Sequence, residues 1–222
     1  MIRKILLSSA MLALAGSTAF AAPPAGVSLS KDLSRTTITF APGHAPKVVP
    51  GLKVPGGGAF SNIATKYPNG LYFANSGWTI SGPSSAIGEQ IWTGVGFTPA
   101  SNTSAKGITA GVGYVSGNNS IAISLWSDAG GVPGVELAGG DATSLPAFGT
   151  CCTTVSVSFK KTALTGGTPY WVVVGTDANS SNTWAAFNDE TTNQLDQGPF
   201  AQNQAGTWYD FGDYNVGAAS VK

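Results

Sequence analysis

Charge is scarce in this chain: 11 Lys and Arg and 11 Asp and Glu stand among 222 residues. With no basic run, nothing is available to neutralise a row of phosphates, so nucleic acid is excluded as an expected partner. Histidine is scarcer still, with His44 alone. A zinc site needs several His, Cys or carboxylate ligands at defined spacing, and the sequence offers no such set. Cysteine occurs only as the neighbours Cys151 and Cys152, which excludes a disulfide framework closing long loops. After residue 21 there is no apolar run of membrane-spanning length, and no window of ten or more residues carries a 3.6-residue apolar period.

What is present begins with a targeting pattern. Arg3 and Lys4 precede an apolar run from Ile5 to Ala15, and Ala19-Phe20-Ala21 offers a small-residue cleavage site before Ala22. This is the layout of a secretory signal peptide over residues 1–21, with an apolar core too short to be a span. Export to the extracellular space is the expectation. Removing residues 1–21 from 222 leaves 201, with nine basic and eleven acidic side chains and a formal net charge of −2. A length of that order fits one all-β domain.

Residues 22–58 read as a Pro/Gly-rich leader, punctuated by Ala41-Pro42-Gly43-His44-Ala45-Pro46 and Val54-Pro55-Gly56-Gly57-Gly58, with one strand at Thr36 to Phe40. From Ala59 to Lys222 the strand signals become regular. Glu89 to Phe97, Gly107 to Val115 and Ile121 to Trp126 each read as one strand. In Thr153 to Lys161, Val155, Val157 and Phe159 share one face while Thr154, Ser156, Ser158 and Lys160 share the other, the period-two mark of a half-buried strand. Tyr170-Trp171-Val172-Val173-Val174 is continuously apolar and reads as a central strand, with Pro169 before it. Asn182 to Phe187, Thr207 to Phe211 and Tyr214 to Val221 complete the set. Many short strands separated by Gly, Asn and Pro turns predict an antiparallel two-sheet β-sandwich, of which a jelly roll is one topology.

The cysteine pair leaves three readings open: a vicinal disulfide, two reduced thiols, or bonds between molecules. Adjacent Cα atoms lie about 3.8 Å apart across a trans peptide, closer than the roughly 4.4–6.8 Å of ordinary disulfides. A ring therefore needs a distorted turn, which Ala147-Phe148-Gly149-Thr150 permits. With only His44 as a base, in the leader, a structural role outweighs a catalytic thiol. Asp177, Asp189, Glu190, Asp196, Asp210 and Asp213, with Asn179 and Asn182, offer oxygen ligands for a structural Ca²⁺. Asp177 to Asn182 nevertheless lacks the glycine at the sixth position of a calcium loop, and Asn188 stands where its glutamate belongs. Turn chemistry accounts for these residues, and no cofactor is expected. Glu89, Glu136 and Glu190 are scattered, without the paired carboxylates of a glycosidase. Of the six tryptophans, Trp92, Trp126 and Trp171 sit in apolar strands and are expected in the core. Trp184, Trp208 and Tyr209 have more polar neighbours and are the candidates for an exposed platform that stacks on sugar rings.

A run of short motifs has a family likeness. Leu125-Trp126-Ser127-Asp128-Ala129-Gly130-Gly131-Val132-Pro133-Gly134 is a strand ending in an Asp-Gly-Pro-Gly turn. It is followed by Gly167-Thr168-Pro169-Tyr170-Trp171-Val172-Val173-Val174, by Asn182-Thr183-Trp184 and by Gly206-Thr207-Trp208. Over roughly residues 85–222 this series resembles exported bacterial β-sandwich modules of the choice-of-anchor type. The resemblance implies a β-sandwich and no catalytic residues. Such modules often precede a C-terminal sorting signal; Ala219-Ser220-Val221-Lys222 is not one, and a released protein is expected. The function expected is a non-catalytic secreted module with a binding, adhesive or structural role in the envelope or extracellular matrix, its partner a polysaccharide or an envelope protein. A polysaccharide-active hydrolase or lyase is the alternative.

Overall fold

The computed structural model describes residues 25–39, 58–63, 71–190 and 197–222. The signal-peptide segment, His44 and Asp196 lie outside these residues, as does Phe40. Every regular element among the described residues is a strand. In chain order they are β1 (Val27–Leu29), β2 (Arg35–Ile38), β3 (Phe60–Ser61), β4 (Ser76–Ser81), β5 (Ile91–Phe97), β6 (Thr103–Ala110), β7 (Val112–Ser116) and β8 (Ser120–Asp128). Then come β9 (Pro133–Thr143), β10 (Val155–Leu164), β11 (Tyr170–Gly175), β12 (Trp184–Asn188), β13 (Gln197–Gln204), β14 (Thr207–Asn215) and β15 (Ala219–Val221).

The strands form two antiparallel sheets, the predicted sandwich. The smaller has the order β10-β6-β15-β3. The larger has two parts joined by a single β4–β5 pairing at Ser81 and Ile91. One part runs β14-β13-β5-β11-β8-β9, and the other β1-β2-β4-β12-β7. Between the sheets lies the main core. Val95, Phe97, Ile121, Ile123, Leu125, Val172, Val174, Phe187 and Phe200 face Ile108, Val155, Val157 and Val221. Alternation supplies these faces: on β8 the odd-numbered residues 121 to 125 point inward, and on β11 the even-numbered residues 170 to 174 do.

Three local readings need correction. Gly107 to Val115 is two strands in different sheets, β6 and β7, broken at Gly111. Tyr214 to Val221 likewise divides, with Tyr214 in β14 and Ala219 to Val221 in β15. The two breaks lie side by side, where the Gly111 N–H donates to the Ala218 carbonyl at 2.9 Å. A Cβ on Gly111 would come within 2.7 Å of the Tyr72 ring, and one on Gly217 within 2.6 Å of the Phe187 ring. Glycine allows the chain to cross from sheet to sheet directly over an aromatic ring. The third correction concerns the leader, which contributes a hairpin, β1–β2, and not one strand. Its second strand pairs with β4, placing Arg35 opposite Trp78. The Arg35 guanidinium sits 4.3 Å from the centre of the Trp78 ring and makes a bidentate ion pair with Asp189, buried at the end of β12.

Cys151 and Cys152 form a disulfide with each other across a cis peptide. The pair packs with Ile63, Leu71, Tyr72, Ala74 and Ala218, a small core beside the two crossing glycines. Of the three readings left open, the vicinal ring is the one observed.

Candidate functional site

The outer face of the six-stranded part, turned away from the main core, is where the structure departs most from an ordinary solvated sheet. Polar side chains are expected there by alternation. Instead β5 presents Trp92, Gly94 and Gly96, β11 presents Trp171, Val173 and Gly175, and β8 presents Ala122, Ser124 and Trp126. Register aligns the small residues across the sheet. Gly94, Val173, Ser124 and Gly139 form one row, and Gly175 lies beside Ala122. The tryptophans close around them. Trp92 lies flat over Gly175, where an added Cβ would approach its ring atoms to 2.6–2.8 Å. Its indole N–H donates to the Thr176 hydroxyl at 3.1 Å. Trp126 extends back along its own strand and donates to the Ser124 hydroxyl at 2.7 Å.

The two indoles meet at 67° with ring centres 6.5 Å apart, and Trp126 meets Trp208 of β14 at 70° and 6.2 Å. Strands β14 and β8 are four steps apart, which is about 19 Å on a flat sheet. Trp208 closes that span by reaching over two strands, where a Cβ on Gly94 would lie 3.5 Å from its ring, and the row of rings borders a trough on this face. Between Trp92 and Trp126 the trough holds a hollow of about 440 Å³, floored by Ala122, Ser124, Val173 and Gly175. That volume is within the usual range for small-molecule sites, about 300–1,000 Å³. Polar groups stand at its rim: Gln90 and Ser181 beside Trp92, Glu136 opposite Trp126, and Asp177 just after β11.

Trp171 lies in the same sheet face, 1% exposed, beneath the β8–β9 turn. Asp128 holds that turn in place. Its carboxylate accepts the Trp171 indole N–H at 2.8 Å and the backbone N–H groups of Gly130 and Gly131 at 2.9 and 3.2 Å. The Asp-Gly-Pro-Gly motif is thus a lid fastened over one tryptophan, leaving the next two open. At the opposite rim, the Ser180 hydroxyl donates to the Asp177 carboxylate at 2.6 Å, joined by the backbone N–H groups of Asn179 and Ser180. The Ser180 hydroxyl above all holds the Asp177 carboxyl below the usual carboxylate range.

The tryptophan assignments depart from the sequence reading at Trp92, Trp126 and Trp184, while Trp171 is buried as expected. Trp184, a candidate for the platform, is 3% exposed. It sits on β12 between β4 and β7, under the β1–β2 hairpin, and donates to the Thr36 hydroxyl at 3.1 Å. Trp208 is half-buried at the end of the tryptophan row, and Tyr209, its neighbour on β14, turns to the other face with 50% exposure. Trp184, Trp208 and Tyr209 therefore do not share a surface. Trp92 and Trp126, expected in the core, are half-buried and line the trough. Apolar neighbours in a strand fix the burial of one face only, and both residues stand on the other.

A second hollow is lined by Asp32, Arg35, Trp78, Phe211 and Tyr214, but its cation is committed to Asp189. Among the described residues no three His, Cys, Asp or Glu side chains cluster in a way that could hold a metal ion. No protein-family model, curated protein or solved structure matches the chain. The likeness to choice-of-anchor modules accordingly rests on the motifs quoted above alone.

Proposed function

We propose that this protein is a carbohydrate-binding module, exported by its N-terminal segment, that takes a polysaccharide in the Trp92–Trp126 trough. One observation carries the reading: two indoles, half-open to solvent, one lying over Gly175 and the other turned 67° to it, border a floor of Ala, Ser and Val on the outer sheet face. A sugar ring has an apolar face of C–H groups, and its hydrogens carry the partial positive charge that an indole face attracts. Its edge carries hydroxyls, which pair with Gln90, Ser181, Asp177 and Glu136 at the rim.

The test is retention of the purified protein on a panel of soluble and insoluble polysaccharides, with intrinsic tryptophan fluorescence as the solution readout. Each stacked indole should cover about 60–80 Å² of apolar surface, worth about 1.5–2 kcal/mol. Trp92→Ala and Trp126→Ala should each weaken binding by about 10- to 30-fold. Retention on no glycan would remove the carbohydrate reading and leave a structural or assembly role.

Hydrolysis is the second reading, favoured by the two rim carboxylates, Glu136 and Asp177, because glycoside cleavage needs a pair. Asp177, held ionised by its four donors, is unsuited to be the proton donor of such a pair. Release of reducing ends, abolished by Glu136→Gln, would establish hydrolysis.

A further inference from the structure

We infer that the glycan taken by the trough carries free protonated amines, as a glucosamine polymer does. The inference rests on the carbohydrate reading and adds the charge of the ligand to it. Among the described residues no Lys, Arg or His lines the hollow, and the two ionisable groups that do, Glu136 and Asp177, are both carboxylates at different points of the rim. Asp177 is pinned in its loop by Ser180 and Asn179. Glu136 is exposed and has no hydrogen bond or ion pair among the described residues.

Where the Glu136 carboxylate lies is informative. Glu136 pairs with Trp126, and Gly139, three residues on, pairs with Ser124. A Cβ on Gly139 would lie 2.9 Å from the Glu136 Oε1 and 2.6 Å from the Ser124 Cβ. The carboxylate is therefore folded back along the sheet surface, into space that a side chain at residue 139 would fill, beside the hydroxyl that holds Trp126.

The surroundings of that carboxylate select a cation. An indole face attracts an ammonium through its quadrupole, and here two such rings stand within one hollow as a corner. A carboxylate at the mouth adds Coulomb attraction of the same sign. Both terms repel a uronate or sulfate, and neither acts on a neutral acetamido sugar. An amine on a sugar ring stacked on one of these indoles sits at the sugar's edge, within the hollow that Glu136 also lines.

The experiment compares β-1,4-linked glucosamine oligomers with their N-acetylated counterparts of equal length, together with polygalacturonate and choline, by calorimetry at 20 mM and 500 mM salt. The glucosamine oligomer should bind about tenfold more tightly than the acetylated one at low salt, with the gap narrowing at high salt. Glu136→Gln should erase the preference, bringing the two oligomers to a common affinity, and Trp126→Ala should lose binding of both. Equal affinity for the two oligomers, a preference that survives Glu136→Gln, or tighter binding of polygalacturonate would overturn the amine inference and leave the carbohydrate reading standing. Binding of choline with no sugar binding, or of no ligand at all, would overturn both.

Discussion

Replacing Gly175 with alanine moves a wall of the trough without deleting it. Gly175 ends β11 and its φ lies outside the left-handed region, so alanine meets no backbone penalty there. The new Cβ would stand 2.6 Å from the Trp92 Cγ and 2.8 Å from Cδ1 and Cδ2. Ordinary contact begins near 3.4 Å, so the ring must lift by about 1 Å at its root, where rotation cannot relieve the clash. Lifting also strains the 3.1 Å bond from its indole N–H to the Thr176 hydroxyl. That bond is worth about 1 kcal/mol. Some 50 Å² of ring surface re-exposed adds about 1.2 kcal/mol. Against this, losing a glycine from the unfolded chain contributes about 0.4–1 kcal/mol of stability. The balance is a loss of about 1–2 kcal/mol, a fall in Tm of about 3–6 °C for a chain of this size. Glycan binding should fall about tenfold or more, because the stacking face has turned. Urea unfolding, near-UV circular dichroism and calorimetry of binding read the three effects. Gly140→Ala is the matched control: its Cβ meets only Val157 at 3.6 Å, so the variant should be as stable as the parent or slightly more so. If Gly175→Ala keeps the parent's stability, near-UV spectrum and affinity, Trp92 does not rest on that glycine and the trough is wrongly drawn.

Two further outcomes follow from the same geometry and its neighbourhood. Asp128→Ala removes the acceptor of the buried Trp171 N–H and of two turn amides, and should cost about 2–3 kcal/mol in urea unfolding; a loss below about 0.5 kcal/mol would mean that the turn is held by other contacts. Burial pushes the Tyr72 phenol from the usual 10 up to about 12, its O–H donating to the Thr153 carbonyl at 3.0 Å. The unfolded chain gives up that proton near pH 10 while the folded chain keeps it, so the stabilisation is whole below pH 10 and is lost between pH 10 and 12. The loss amounts to about 2–3 kcal/mol; denaturation measured across that window should decline less steeply in Tyr72→Phe, and an unchanged slope would show that Tyr72 is not the group responsible.

Period-two patterning carried the fold a long way. Val155 and Val157 fall on the core as their alternation with Ser156 and Ser158 requires, and the apolar run from Tyr170 lies between β5 and β8 as a central strand. Patterning could not reveal where a strand changes sheet. Gly111 and Gly217 are ordinary glycines in the sequence, and only the rings of Tyr72 and Phe187 beneath them give them a purpose. Strands β4, β9 and β13 were not read either. β9 runs Pro133-Gly134-Val135-Glu136-Leu137-Ala138-Gly139-Gly140, in which three glycines and a proline obscure any period. The site was less legible still. Trp184 is misplaced because its polar neighbours belong to a turn, while the residues clustered with it come from distant elements: Val115 and Phe148, and Val27, Leu29 and Ile38 some 150 positions earlier. No local window contains that information.

The sequence did carry one trace of the trough, on β11. A strand apolar at every position is usually sandwiched between two layers, and β11 is buried along its whole length. Its inner face, Tyr170, Val172 and Val174, meets the second sheet. Its outer face meets no third layer among the described residues. Trp171 is covered by the turn that Asp128 fastens, Gly175 by the Trp92 ring, and Val173 is left as the floor between the two indoles. Two different devices thus cover most of a face that a purely structural sandwich would fill with Thr, Ser or Lys and leave to water. Apolar residues on a sheet face without a partner layer carry a solubility cost. The cost is contained here because the exposed indoles are half-covered by one another and ringed by Gln90, Glu136 and Asp177. An apolar floor, aromatic walls and a polar rim on a concave face are the features of a surface that awaits an amphipathic ligand, which is why the trough, and not the exposed aromatic edge at Tyr209, carries the functional reading.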